Sequence, residues 1–230
     1  MASRRSSPRA SAFDDKLARI RALAADPPAT IVTDLRRFLE DPNGFLVGEA
    51  AKVAADLELR ALEPDLATAL LRLCAAPMEA DKGCHGKKAL AQALIAFDAS
   101  APDAYLAGLR HIQREPAFGE PIDTASSLRG LCAHALVRMN FRDAALEIAP
   151  LLFDKEPDTR AGVADALAST GEPLCAAVLH VKALAGDKEP EVLGACYRGL
   201  LSLDARRYLP VVAEALAGGE EIAAIALGES

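Results

Sequence analysis

The sequence predicts an all-α chain, and three observations carry that reading. Apolar residues make up 51 % of the 230 residues, yet aromatics supply only 4 % and tryptophan none, so the interior is built from Ala, Leu, Val and Ile. Such small side chains let helix lie close on helix. No stretch alternates apolar and polar residues with period two over a useful length, so no sheet is expected. The tetrapeptide DKEP occurs at 154–157 and again at 187–190, 33 residues apart, about the length that two short helices and two turns consume.

Taken in order, helices are expected at 13–25, 28–40, 45–58, 64–76, 84–97, 102–114 and 124–139, then at 143–153, 157–169, 173–185, 190–203, 206–217 and 220–228. Their stops are "DPP", "DPNG", "EP", "APD", "GEP" and "AGD", each a proline or glycine breaker. Residues 1–12 are basic and serine-rich, with no apolar stretch of the secretory kind, and are expected to be a disordered tail. Residues 13–230 are expected to form one array, in units at 28–58, 64–97, 102–139, 143–169, 173–203 and 206–230.

The repeat is testable on spacing. Asp154 is followed six residues later by Arg160 and seven beyond that by Leu167. Asp123, Arg129 and Leu136 keep the same spacing, as do Asp81, Lys87 and Leu94. The second DKEP keeps Asp187 and Leu200 but has Leu193 in place of the cation. An aspartate at the turn before a helix bonds the free N–H groups of its first turn. It also pairs with a cation from its own or the neighbouring unit. Asp81, Lys87, Asp123, Arg129, Asp154, Arg160 and Asp187 are therefore expected to form a ladder between units, with the leucines in the seams between helices.

The stretch "DKEPDTRAGVADALASTG" resembles the second helix of a HEAT repeat of the bacterial, phycobilisome-lyase-like kind, and "GGEEIAAIALGES" resembles another such helix. The resemblance covers about 41–230, sharply over 120–230. It implies a right-handed α-α superhelix of about six helical pairs, and it is nearly silent about activity. Two departures stand out. The unit between Asp81 and Asp123 is about ten residues long for the repeat, the surplus falling in "QREPAFGEPID", and the chain stops at "ALGES", where another helix is expected. A truncated array, or an end covered by a partner, fits that stop.

A net charge of −7 and a pI near 5.2 weigh against nucleic acid as the main partner, since such binding neutralises phosphates. No apolar run is long enough to cross a bilayer. Five cysteines, odd in number and without a CxxC pair, read as buried reduced thiols of a cytoplasmic protein. "GCHGKK" and "LCAHAL" bring Cys84, His85, Cys132 and His134 to notice. The two-residue spacing of Cys132 and His134 puts them about 200° apart on a helix. We read core cysteines beside surface histidines, and expect no metal or other cofactor. Cys84, near a helix start beside Lys87 and Lys88, is the one candidate reactive thiol.

In the HEAT architecture the second helices line the concave face. Arg138, Arg198, Tyr197 and Lys88 fall on those helices, and Arg114 and Phe118 on the inserted loop. Phe118 is expected either to plug against a neighbouring helix or to anchor a partner. No residue set has the acid, base and nucleophile of an enzyme, so no catalytic residue is assigned. The expectation is a monomeric scaffold binding a protein or peptide partner. The alternatives are a HEAT-like enzyme, similar to bilin lyases or alkylpurine DNA glycosylases, and a structural segment of a larger chain.

Overall fold

The computed structural model describes residues 8–23, 28–219 and 221–228. Helix accounts for 76 % of it, which places the chain in the all-α class. The helices are α1 (Pro8–Ala22), α2 (Pro28–Leu39), α3 (Gly44–Asp56), α4 (Glu63–Ala75), α5 (His85–Ala96) and α6 (Pro102–Leu109). They continue with α7 (Ser126–Arg138), α8 (Ala144–Ile148), α9 (Pro157–Ala168), α10 (Pro173–Ala185), α11 (Pro190–Ala217) and α12 (Ile222–Gly228). Proline opens α1, α2, α6, α9, α10 and α11, at the position where its missing N–H has no helical partner to lose.

Helix α1 starts at Pro8, inside the stretch expected to be a tail, and residues 1–7 lie outside the described residues. Helix α8 is short because Pro150 turns the following residues, Ala149–Phe153, into a 3-10 turn. Helix α11 runs through both of the helices expected at 190–203 and 206–217, with a kink at Asp204, whose backbone is extended at φ −158° and ψ 81°.

The expectation of no sheet is corrected at one place. Strands β1 (Arg114–Glu115) and β2 (Ile122–Asp123) pair antiparallel, Arg114 opposite Asp123 and Glu115 opposite Ile122. The pairing ends there because Pro116 and Pro121 lack the N–H that would extend the ladder.

The chain divides into two compact units, Met1–Ala104 and Tyr105–Ser230. In the first, α3 lies against α1, α2 and α5, and α4 against α5. Its core is Leu35, Leu46, Val47, Leu70, Leu90 and Leu94, each at most 2 % exposed. In the second, α7, α9 and α11 lie side by side in a row, α10 packs on α9 and α11, and α12 covers part of α11. The leucines picked out by spacing, Leu94, Leu136, Leu167 and Leu200, are all fully buried, each worth about 1.5–3 kcal/mol of apolar transfer. Among the described residues, no helix is long and apolar enough to cross a membrane.

Candidate functional site

The spaced aspartates sit in a common local geometry. Asp123, Asp154 and Asp187 each accept, through Oδ1, the backbone N–H two residues ahead, at 2.9–3.0 Å, fixing the turn before α7, α9 and α11. Asp41 does the same with the N–H of Asn43 at 2.9 Å, although Val47 and Ala54 stand where the spacing has its cation and its leucine. Asp81 differs. The turn after it passes through Gly83 and Cys84, both at positive φ, so its carboxylate reaches the N–H groups of Gly86 and Lys87 instead.

The cations join these turns. Lys87 Nζ lies 3.3 Å from Asp81, both side chains fully buried. Arg129 donates to Asp123 at 2.8 Å, to Asp154 at 2.9 Å and to the His111 carbonyl at 2.9 Å. Arg160 grips Asp187 with Nε at 2.8 Å and Nη2 at 2.6 Å, and donates to the Asp154 carbonyl at 2.9 Å. Where Leu193 replaces the cation, Lys182 of α10 supplies it, 2.7 Å from Asp187. Where Val47 does, Lys16 of α1 supplies it, 2.6 Å from Asp41. Lys182 and Lys16 come from other helices, so no spacing within the unit could find them.

Burial works to raise Asp187, but hydrogen bonds from Arg160 and Lys182 outweigh it and hold the carboxyl well below the usual range. Asp123 is lowered as well, where burial is outweighed by the N–H groups of Gln113 and Ala125 and by Arg129. The aspartates and cations of the ladder are thus tied to one another and into the turns, an arrangement that orients helices.

The ladder also fastens the inserted loop. Asp123 accepts the N–H of Gln113 at 3.0 Å, Gln113 accepts that of Thr124 at 3.0 Å, and Glu115 accepts from Gln113 Nε2 at 2.7 Å and Thr124 Oγ1 at 2.8 Å. From this base the hairpin projects Phe118, which is 111 % exposed. The plug expectation is therefore wrong, and the ring touches solvent on all sides. Ile112 and Ile122, on the same loop, are also exposed, as is Arg114.

No protein-family model, curated protein or solved structure matches the chain. Function has to be argued from the surfaces themselves.

One face of the α7–α9–α11 row is open and polar. His134, Asp165 and Arg198 each lie 11 residues after their aspartate, one per helix, and Arg198 Nη2 stands 3.9 Å from Asp165. Desolvation lowers the His134 imidazole against the opposing charge of Asp165, and raises the Asp165 carboxyl against Arg198 and His134. Arg138, Asp158 and Glu191 are exposed on the same helices. The face is of mixed sign.

Tyr197 does not belong to it. At 3 % exposure its ring is part of the core, because position 197 turns to the buried side of α11 while Arg198 turns outward. Lys88 is half-buried on α5, in the other compact unit from Arg138 and Arg198. Cys84 and Cys132 are fully buried, whereas His85 and His134 open to solvent. The candidate reactive thiol at Cys84 is thereby corrected, since a nucleophile at that depth meets no reagent.

Proposed function

We propose that the chain is a protein-binding scaffold of the HEAT-repeat type, a right-handed α-solenoid of about six helical pairs, that holds a segment of another protein. What supports the solenoid reading is the row of alternate helices α7, α9 and α11, together with an aspartate turn repeated before each of them. The observation that carries the binding reading is Phe118, a wholly exposed aromatic on a hairpin fastened at its base to a buried ion pair. A loop whose base is already held loses less backbone entropy on docking, and exposed aromatics are the residues that dominate interface energies. Phe118 is the anchor, and Arg138 and Arg198 on the open face take the partner's carboxylates.

The test is a native pull-down with Phe118→Ala and with the double variant Arg138→Glu, Arg198→Glu, each checked for an unchanged thermal midpoint. Loss of the anchor should weaken retention of the partner about tenfold or more, the effect of an interface hot spot. Full retention by both variants sinks the assignment.

A further inference from the structure

Close helix contacts set three ionisable side chains in one row. A methyl group added at Gly162 of α9 would stand 3.1 Å from the Gly130 Cα of α7, so the two backbones nearly touch there. One turn further on, His134 follows Gly130 by four residues and Asp165 follows Gly162 by three, which brings both side chains to the same stretch of the open face. Arg198 holds the matching place on α11, four residues after Gly194, with Nη2 3.9 Å from Asp165. All three side chains reach solvent. Apart from burial, the charges that act on the two titrating groups belong to the row: Asp165 acts on His134, and Arg198 and then His134 act on Asp165. Arg138, Asp158 and Glu191 complete the charges exposed with them on these helices. The elements packed against the row hold their own charges elsewhere. Lys182 of α10 lies on Asp187, His180 against the Tyr208 ring, Glu147 of α8 on Arg110, and Asp154 on Arg129. Helix α6, whose charged residue is Asp103, meets α7 at the buried Cys132, and α12 carries no charge.

Protons change the row in one direction only. His134, lowered by burial, takes up its proton below the ordinary 6.5, and Asp165, raised by burial, takes up its proton above the ordinary 3.8. Acidification therefore turns His134 from neutral to positive and Asp165 from negative to neutral, and both steps make the face more attractive to an anion. A partner's carboxylates, ordinarily near 4, stay ionised down to about pH 5. At neutral pH the Asp165 carboxylate offsets Arg198 and repels a carboxylate that approaches it; once protonated, it does neither. Resting on the reading that Arg138 and Arg198 take a partner's carboxylates, we propose that this face is a proton-gated anion site: Asp165 and neutral His134 keep it weak at neutral pH, and proton uptake by the row strengthens its hold on an acidic segment.

The probe is a short rhodamine-labelled peptide of cysteic acid, whose sulfonates stay ionised throughout, titrated with the full chain at low salt and read by fluorescence anisotropy. Wild-type affinity should rise between about pH 7.5 and about pH 5.5. Asp165→Asn should bind the probe about fivefold tighter than wild type already at the higher pH, the effect of removing one nearby like charge. His134→Gln with Asp165→Asn should leave affinity nearly level across that range. On the wild-type chain, saturating probe should raise the titration midpoint of the His134 imidazole in NMR spectra, because proton and anion must favour each other's binding equally. That measurement needs no variant and stands even if one misfolds. An Asp165→Asn chain no tighter than wild type, a double variant as steep in pH as wild type, or an unmoved His134 midpoint overturns the proposal. If Arg138→Glu with Arg198→Glu still abolishes binding in that case, the carboxylate reading of the face survives without the gate. Wild-type protein that ignores the probe at both pH values, or binding indifferent to the two arginines, sinks both.

Discussion

Arg129 on α7 donates from Nη2 to Asp154 at 2.9 Å, across 25 residues of chain, while its Nη1 holds Asp123. The side chain is 2 % exposed and its Nε is buried without a hydrogen-bond partner. The guanidinium is thus spent on two carboxylates and a carbonyl, a set that one ammonium cannot span. Arg129→Met leaves two carboxylates in a poorly solvated turn, and should lower unfolding free energy by about 3–5 kcal/mol. Arg129→Lys should recover only part of it. Urea titration at neutral pH measures both.

Asp187 and Asp123 set an acid limit. Their carboxyls are lowered in the folded chain relative to the ordinary value near 3.9, so each favours the folded state fully above that value. The contribution is lost as pH falls through the folded values. Urea stability should therefore be level in this respect down to about pH 5 and decline below about pH 4. Asp187→Asn should be less stable at neutral pH and have a shallower acid limb. An acid limb as steep as that of the wild-type chain would exclude Asp187 as a cause.

Helices α7 and α9 meet at two glycines. A methyl group added at Gly162 would stand 3.1 Å from the Gly130 Cα, in helix backbone that yields little, whereas one added at Gly130 would meet the Gly162 Cα at an ordinary 3.5 Å. Gly130→Ala should be neutral or stabilising by up to about 1 kcal/mol through helix propensity. Gly162→Ala should be less stable than Gly130→Ala by at least about 1 kcal/mol, as read from thermal midpoints of the pair.

Thiol chemistry should be silent in the folded state. Burial pushes Cys74 up to about 11 and Cys196 up to about 12, and Cys84, Cys132 and Cys175 are buried. Incubation with iodoacetamide at pH 8 should add no mass until denaturant is present, and then five adducts should appear by intact mass spectrometry.

The sequence by itself determined the all-α class, the helix starts at proline, the spaced aspartates and the buried leucines behind them. All of these depend on interactions within about one or two helical turns, where chain distance is spatial distance. It also placed the inserted loop, because prolines and glycines are read locally. The tertiary structure alone decided which cation reaches which carboxylate. Lys182 and Lys16 fill gaps in the spacing from other helices, and Arg129 reaches forward to Asp154. Tertiary structure likewise turned Tyr197 inward, paired four residues of the loop into a hairpin that lifts Phe118 into solvent, and left the outer side of α10 bare. Periodicity reports which residues share a side of a helix, but which side is covered depends on the neighbours that pack there, and those contacts join residues far apart in the chain.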